Sequence, residues 1–204
     1  MNQTTEKNRE YGSFALRFLA WVFDVLLIWS LPPLALLIVM ATVPTTAGFW
    51  TGLLWVFWLI VFGQWFVMLG YRVATLVYFQ ASFGKILAGL EIQKEDGSKL
   101  DVRDGVLRFV VGYMVSVLLW GLGYFWIVKD SKRRGFHDQI AGTVVVKKAS
   151  ARQIFIVLPI MMVIYVFIWY AIIKVGVDRG LWRGVATDTW VFWQHAGEVF
   201  RETK

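Results

Sequence analysis

Arg17 and Asp24 stand seven residues apart in the first long apolar stretch of this sequence, and no further charge follows until Arg72. A carboxylate held in hydrocarbon costs about 2.5–3.5 kcal/mol on insertion scales, so such a residue is a functional candidate unless a partner explains it. Seven residues is nearly two helical turns, which puts both side chains on one helix face about 10 Å apart along the axis. That is too far for a direct ion pair. Arg17, near the start of the stretch, can reach toward head groups. Asp24 lies closer to mid-depth and must be protonated, paired across helices or hydrated. A carboxyl that exchanges a proton there would suit coupled movement of an ion or small solute. Gln64, midway along the next apolar run, is the natural partner, and a plain packing bond between the two is the competing reading.

The elements that must position these residues are membrane helices. Hydrophobic residues make up 58% of the 204, and twelve are Trp, which lies outside the usual range of soluble domains. The uncharged runs Val25 to Tyr71, Phe109 to Val128 and Gln153 to Ile173 each reach the length that crosses a bilayer as helix. Phe14 to Met40 reads as the first span, bent where Pro32 and Pro33 remove backbone donors. Phe49 to about Tyr71 is the second, and Ile154 to Ile173 the last. Because Asp24 lies within the first stretch, that helix is read as retained rather than as a cleaved signal.

Lys7 and Arg9 precede the first span and the link Ala41 to Gly48 is uncharged, so the N-terminus is expected in the cytoplasm. Gly105 to Val128 is ambiguous. A straight crossing, giving four spans, would put the basic residues between Lys129 and Arg152 outside. A re-entrant hairpin broken near Gly121 and Gly123 would keep them inside, and is favoured. Val73, Leu76, Val77, Phe83, Ile86, Leu87 and Leu90 recur at helical spacing and predict an amphipathic helix lying on the membrane surface. EIQKEDGSKLDVR, with Asp96-Gly97 at its centre, predicts a short cytoplasmic β-hairpin. In the tail, Trp182, Val185, Thr189, Phe192, Trp193, Ala196 and Val199 form one amphipathic stripe. The predicted class is an all-α membrane protein, a small helical bundle with these interfacial additions.

Three blocks of the sequence go further. FALRFLAWVFDVLLI carries Arg17 and Asp24, ASFGKILAGLEI is followed by the EDG turn, and GFHDQIAGTVVV carries Asp138. In order and spacing they resemble the RDD membrane proteins, named for one Arg and two Asp, over roughly residues 9 to 148. The resemblance implies a multi-spanning inner-membrane protein of bacterial type, proposed to transport unidentified ligands, with sodium/proton antiport suggested for some members. Residues 149–204, an added span and the Trp-rich tail, lie outside it. Asp138 could form a buried bridge to Arg17, or it could be a solvated loop carboxylate beside the KDSKRRGFH cations.

Other chemistry finds little support. There is no Cys, which excludes disulfides and thiolate ligands, and His137 and His195 alone suggest neither a metal site nor a catalytic triad. Gly84-Lys85 lacks the spacing of a phosphate loop. No enzyme activity, cofactor or nucleic-acid partner is expected. The net charge of +7 instead points to lipid, with Arg72, Lys85, Arg108 and Arg134 as head-group contacts. The leading expectation is a transport-type protein with a polar pathway of Arg17, Asp24, Gln64 and Asp138. So few spans would require a homo-oligomer or a membrane-protein partner. The rival is a non-catalytic subunit or scaffold that docks a partner complex or binds lipid.

Overall fold

The computed structural model describes residues 9–42, 46–118, 120 and 122–181. Among them three helices are long and apolar enough to cross a membrane: Phe14–Thr42, Trp50–Phe79 and Arg152–Asp178. The chain is a membrane protein of largely helical structure with one small sheet. The Trp-rich tail stripe, Lys7, Gly121 and His195 lie outside the described residues.

The first span consists of α1 (Phe14–Trp29) and α2 (Leu31–Thr42), interrupted at Ser30. Pro32 has no N–H to give the carbonyl of Ile28, the partner that regular helical bonding would assign it. That freed carbonyl accepts instead from Nε2 of Gln64, at 3.0 Å. Gln64 is therefore the repair of a proline break and not, as expected, the partner of Asp24. The second span runs through α3 (Thr46–Trp58), a π-helical turn (Leu59–Gly63) and α4 (Gln64–Phe79).

α4 continues well past Arg72, so the expected surface helix is divided. Its first part extends the span, and its second is a separate short helix, α5 (Phe83–Leu87). Gln80 makes the break. It adopts a left-handed conformation (φ 54°), and its side-chain amide donates to the carbonyls of Leu76, Val77 and Leu100 while accepting from the N–H of Leu100. These bonds satisfy the helix end and discourage continuation.

β1 (Leu90–Lys94) starts where expected, but its partner is distant. It pairs antiparallel with β2 (Thr143–Lys147), Leu90 opposite Lys147 and Lys94 opposite Thr143; across the Asp96-Gly97 turn the pairing stops at one bond, from the N–H of Lys94 to Ser98. The local hairpin fails because the second arm is taken into a helix start. Asp101 and Asp104 form a reciprocal capping box opening α6 (Val102–Val106). Near the N-terminus, Tyr11 bridges Val146, and the N–H of Gly12 donates to Val145, which adds an edge to β2.

Gly105 to Val128 does not form a continuous span. A second π-helical turn (Leu107–Gly112) leads into α7 (Tyr113–Leu118); the path then breaks, with Trp120 left-handed at φ 54°, before α8 (Leu122–Phe125) and a 3-10 turn (Trp126–Val128). Both arms touch α9 (Phe136–Ile140). Gly112 permits the approach, since a Cβ there would lie 2.7 Å from the Cα of His137. α10 (Arg152–Asp178) is the last span.

The described chain divides into two compact units. Residues up to Trp29 with Val61–Val163 form one, whose core includes Ala20, Phe23, Leu76, Leu90, Ile92 and Val145. The other spans Ser30–Ile60 and residues from Ile164, and is cored by Met40, Ile168 and Ile172.

Candidate functional site

The site lies wholly within the first unit and begins with Asp138. Its side chain is fully buried in α9. One carboxylate oxygen receives Nη1 of Arg17 at 2.7 Å and the N–H of Gly135 at 3.0 Å, and the other faces Nη2 of Arg108. The buried bridge from Asp138 to Arg17 is present, and the solvated-loop reading does not hold. Burial works against ionisation of Asp138, but the Arg108 guanidinium, with His137 and Arg17, outweighs it and holds the carboxyl well below its usual range.

Arg108 is itself fully buried, on the second π-helical turn, and donates to the hydroxyl of Thr143 on β2. Arg17 also donates from Nε to the carbonyl of Gly12 at 3.1 Å. Asp138 thus joins α1, the 105–128 segment and the sheet edge by charge-assisted bonds. Nothing in the local sequence of α9 marks Arg108 as its partner.

Two turns along α1, Asp24 is also buried, but in neutral company. Its Oδ1 accepts from the Tyr71 hydroxyl at 2.7 Å and from the N–H of Gly84 at 2.8 Å. The same hydroxyl accepts from the N–H of Phe83 at 3.1 Å. Sequence reasoning missed Tyr71, although its place at the end of the uncharged run made it reachable from Asp24. The N–H of Gly84 had no sequence signal.

These groups surround a cavity of about 480 Å³. Its polar wall comprises Arg17, Asp24, Arg72, Lys85, Arg108 and His137. The cavity is also lined by the aromatics Phe14, Phe18, Trp21, Tyr124 and Phe125. Phe14 stacks on Phe125 at 5.6 Å between ring centres, and Phe18 on Trp21 at 5.8 Å. Gln64 is not part of this lining.

Three of the four expected head-group contacts are therefore misplaced as surface residues. Arg72, Lys85 and Arg108 are buried and line the cavity, because α4, α5 and the 105–128 segment that carry them pack together. Arg72 lies over the Phe109 ring, 5.4 Å from its centre. Burial, with Arg108 and Arg72 nearby, holds the Lys85 ammonium well below its ordinary value. Arg134 is outside the cavity; it pairs with Asp130 at 3.0 Å and with Glu95.

Burial also pushes His137 down to about 3, with the Arg108, Lys85 and Arg17 cations adding to the effect against the pull of Asp138. The folded state thus keeps a neutral imidazole while the unfolded chain takes a proton at its ordinary value of 6.5. Above pH 6.5 the residue has no pH-linked effect. As pH falls from 6.5 toward 3 the unfolded state binds more protons, and stability drops by up to about 1.4 kcal/mol per pH unit. Melting curves between pH 7.5 and 4.5 should show this decline, and His137→Asn should flatten it.

Comparison with known proteins was informative for sequence and not for structure. The family model described as RDD family matches residues 11–142. An uncharacterized membrane protein of Bacillus subtilis (strain 168), YteJ, is 32% identical over 147 residues, covering 70% of this chain and 85% of that protein. A second protein of that organism, the uncharacterized YxaI, is 32% identical over 81 residues, 40% of this chain and 52% of its own length. No solved structure matches the chain.

Proposed function

Because this chain belongs to the RDD family, and Arg17 and Asp24 line one cavity while Asp138 holds Arg17 from behind it, we propose that it is a transport-type protein of a bacterial inner membrane. Its polar pathway for a small solute is the cavity between Asp24 and the buried cations. The observation that carries this reading is the cavity itself. Arg17 and Asp24 from α1, Arg72 from α4, Lys85 from α5 and Arg108 from the 105–128 segment converge on a space of about 480 Å³ that aromatics also line. Asp138 stands behind it and holds Arg17 and Arg108 in place. Asp24 is the carboxyl group of this pathway, held in place by the Tyr71 hydroxyl and the N–H of Gly84.

Orientation follows from charge. Arg9 donates to the carbonyl of Glu95, Lys147 pairs with Glu10, and Arg134 pairs with Glu95. The N-terminal residues and the basic 129–148 segment thus share one end of their unit, which the positive-inside bias assigns to the cytoplasm. With three spans, the end of α10 leaves on the opposite side.

Proteoliposomes loaded with a pH-sensitive dye test the reading under imposed sodium, potassium or phosphate gradients. The wild-type protein is expected to change the interior pH under at least one gradient, and Asp24→Asn to slow that change at least tenfold. The variant should fold, because the asparagine oxygen can still accept from Tyr71 and Gly84. Well-folded wild-type protein that moves nothing would sink the proposal.

A second reading, a subunit packed against partner helices, is favoured by the exposure of Phe62, Trp65 and Phe66 along the second span. Recovery of a stoichiometric partner, or of a homo-oligomer, on mild extraction would support it.

A further inference from the structure

The charge inside the cavity is unbalanced. Four cations, Arg17, Arg72, Lys85 and Arg108, line or enter it, and the carboxylates set against them are Asp24 and Asp138. Asp138 is bonded by Arg17 and Arg108, and Asp24 by neutral donors, so both carboxylates act on Lys85 only through space. Lys85 has no direct partner among the described residues. It is 8% exposed and, among the described residues, makes no side-chain hydrogen bond or salt bridge. Nε of Arg108, a fully buried residue, likewise has no acceptor.

A buried amine and a buried guanidinium N–H without acceptors are each costly, and an anion with several oxygens would satisfy both. The aromatic lining restricts what that ligand can be. Phe18, Trp21 and Phe125 line the cavity and are 50%, 45% and 60% exposed. Exposed aromatics on a membrane-spanning helix such as α1 suit contact with acyl chains. The cavity thus combines buried cations with partly exposed aromatics.

We infer that the cavity binds a phosphate-type anion, offered either as the head group of an anionic phospholipid or as free phosphate, with Lys85 and Arg108 as the residues that meet it. An oxyanion with several acceptor oxygens can take the Lys85 ammonium and Arg108 Nε together, and Arg72 adds a third cation on the same wall. The partly exposed aromatics suit the glycerol and first methylenes of a lipid. This inference deepens the transport reading by naming the class of the solute, and its test separates the two.

The full-length protein, stripped of co-purifying lipid in detergent, is offered an equimolar mixture of phosphatidylglycerol and phosphatidylcholine, and retained lipid is counted by native mass spectrometry. In a parallel arm, melting is followed with inorganic phosphate against chloride at equal ionic strength. Wild-type protein is expected to retain one phosphatidylglycerol per chain in at least tenfold preference, or to be stabilised by phosphate; the first outcome assigns a lipid source and the second a soluble one. Lys85→Met should abolish whichever is seen while melting at or above the wild-type temperature. Lys85→Gln serves if the methionine variant does not fold. Arg134→Gln, which alters a cation outside the cavity, should leave binding unchanged. Absence of both effects in wild-type protein, or equal binding by Lys85→Met, would overturn the inference. Asp24→Asn distinguishes it from the transport reading: lost flux with retained anion binding supports both, and binding by a wild-type protein that moves nothing supports the anion site alone.

Discussion

Asp138→Asn is expected to cost the fold about 3–5 kcal/mol, the range for removing one partner of a buried ion pair and leaving the rest uncompensated. Two guanidiniums depend on this carboxylate, Arg17 at 2.7 Å and Arg108, which has no exposure at all. Asparagine keeps one oxygen, yet its amide turns a donor toward a guanidinium that can only donate. The N–H of Gly135, now 3.0 Å from the carboxylate, would compete for that one oxygen. A loss of this size is a large share of the stability of an ordinary domain, so the variant should melt far below wild type in detergent and elute as aggregate. Glu10→Gln is the control. It removes an exposed pair with Lys147 and should change melting little. Similar behaviour of the two variants would mean that Asp138 is not the buried junction described above.

Gly84→Val should be nearly as damaging, for a steric reason. A Cβ at this position would collide with the carbonyl oxygen of Ala20 and lie 2.8 Å from its carbonyl carbon. The obstacle is helix backbone and cannot rotate away. α5 must withdraw from α1, and the 2.8 Å bond from the Gly84 N–H to Asp24 goes with it. Overpacking of this kind costs about 1–3 kcal/mol or more, and here a buried carboxylate also loses one of its two donors. Melting temperature and transport should therefore fall together. Gly70→Ala provides the contrast. Nothing lies within 4 Å of a Cβ there, and Gly70 is inside α4. That change should be neutral or stabilise by about 0.5–1 kcal/mol through helix propensity. An undisturbed Gly84→Val protein would contradict the close contact between α1 and α5.

The readable part of the site was the part with a large local cost. Asp24 could be singled out because a lone carboxylate in an apolar helix needs explanation whatever surrounds it. Its donors could not, since a tyrosine hydroxyl and a backbone N–H are present at many positions and become partners only when α5 packs on α1. Gln64 shows the opposite error. It was the one obvious polar side chain at the right depth, but the carbonyl freed by Pro32 lay within its reach. Composition assigns Lys85, Arg72 and Arg108 to the surface, and it cannot register that the elements carrying them pack around one cavity.

The amino-acid sequence by itself determined the membrane class, the three long spans and the family, because each depends on runs of hydrophobicity or short blocks of residues that act locally along the chain; it left open whether 105–128 crosses. Tertiary structure alone decided which strand β1 pairs with, that Asp138 joins Arg17 to Arg108, and that four cations face one cavity. Those outcomes join residues as far apart as Arg17 and Asp138, and hydrogen bonding and charge pairing over such separations depend on how the helices pack, which no local pattern encodes.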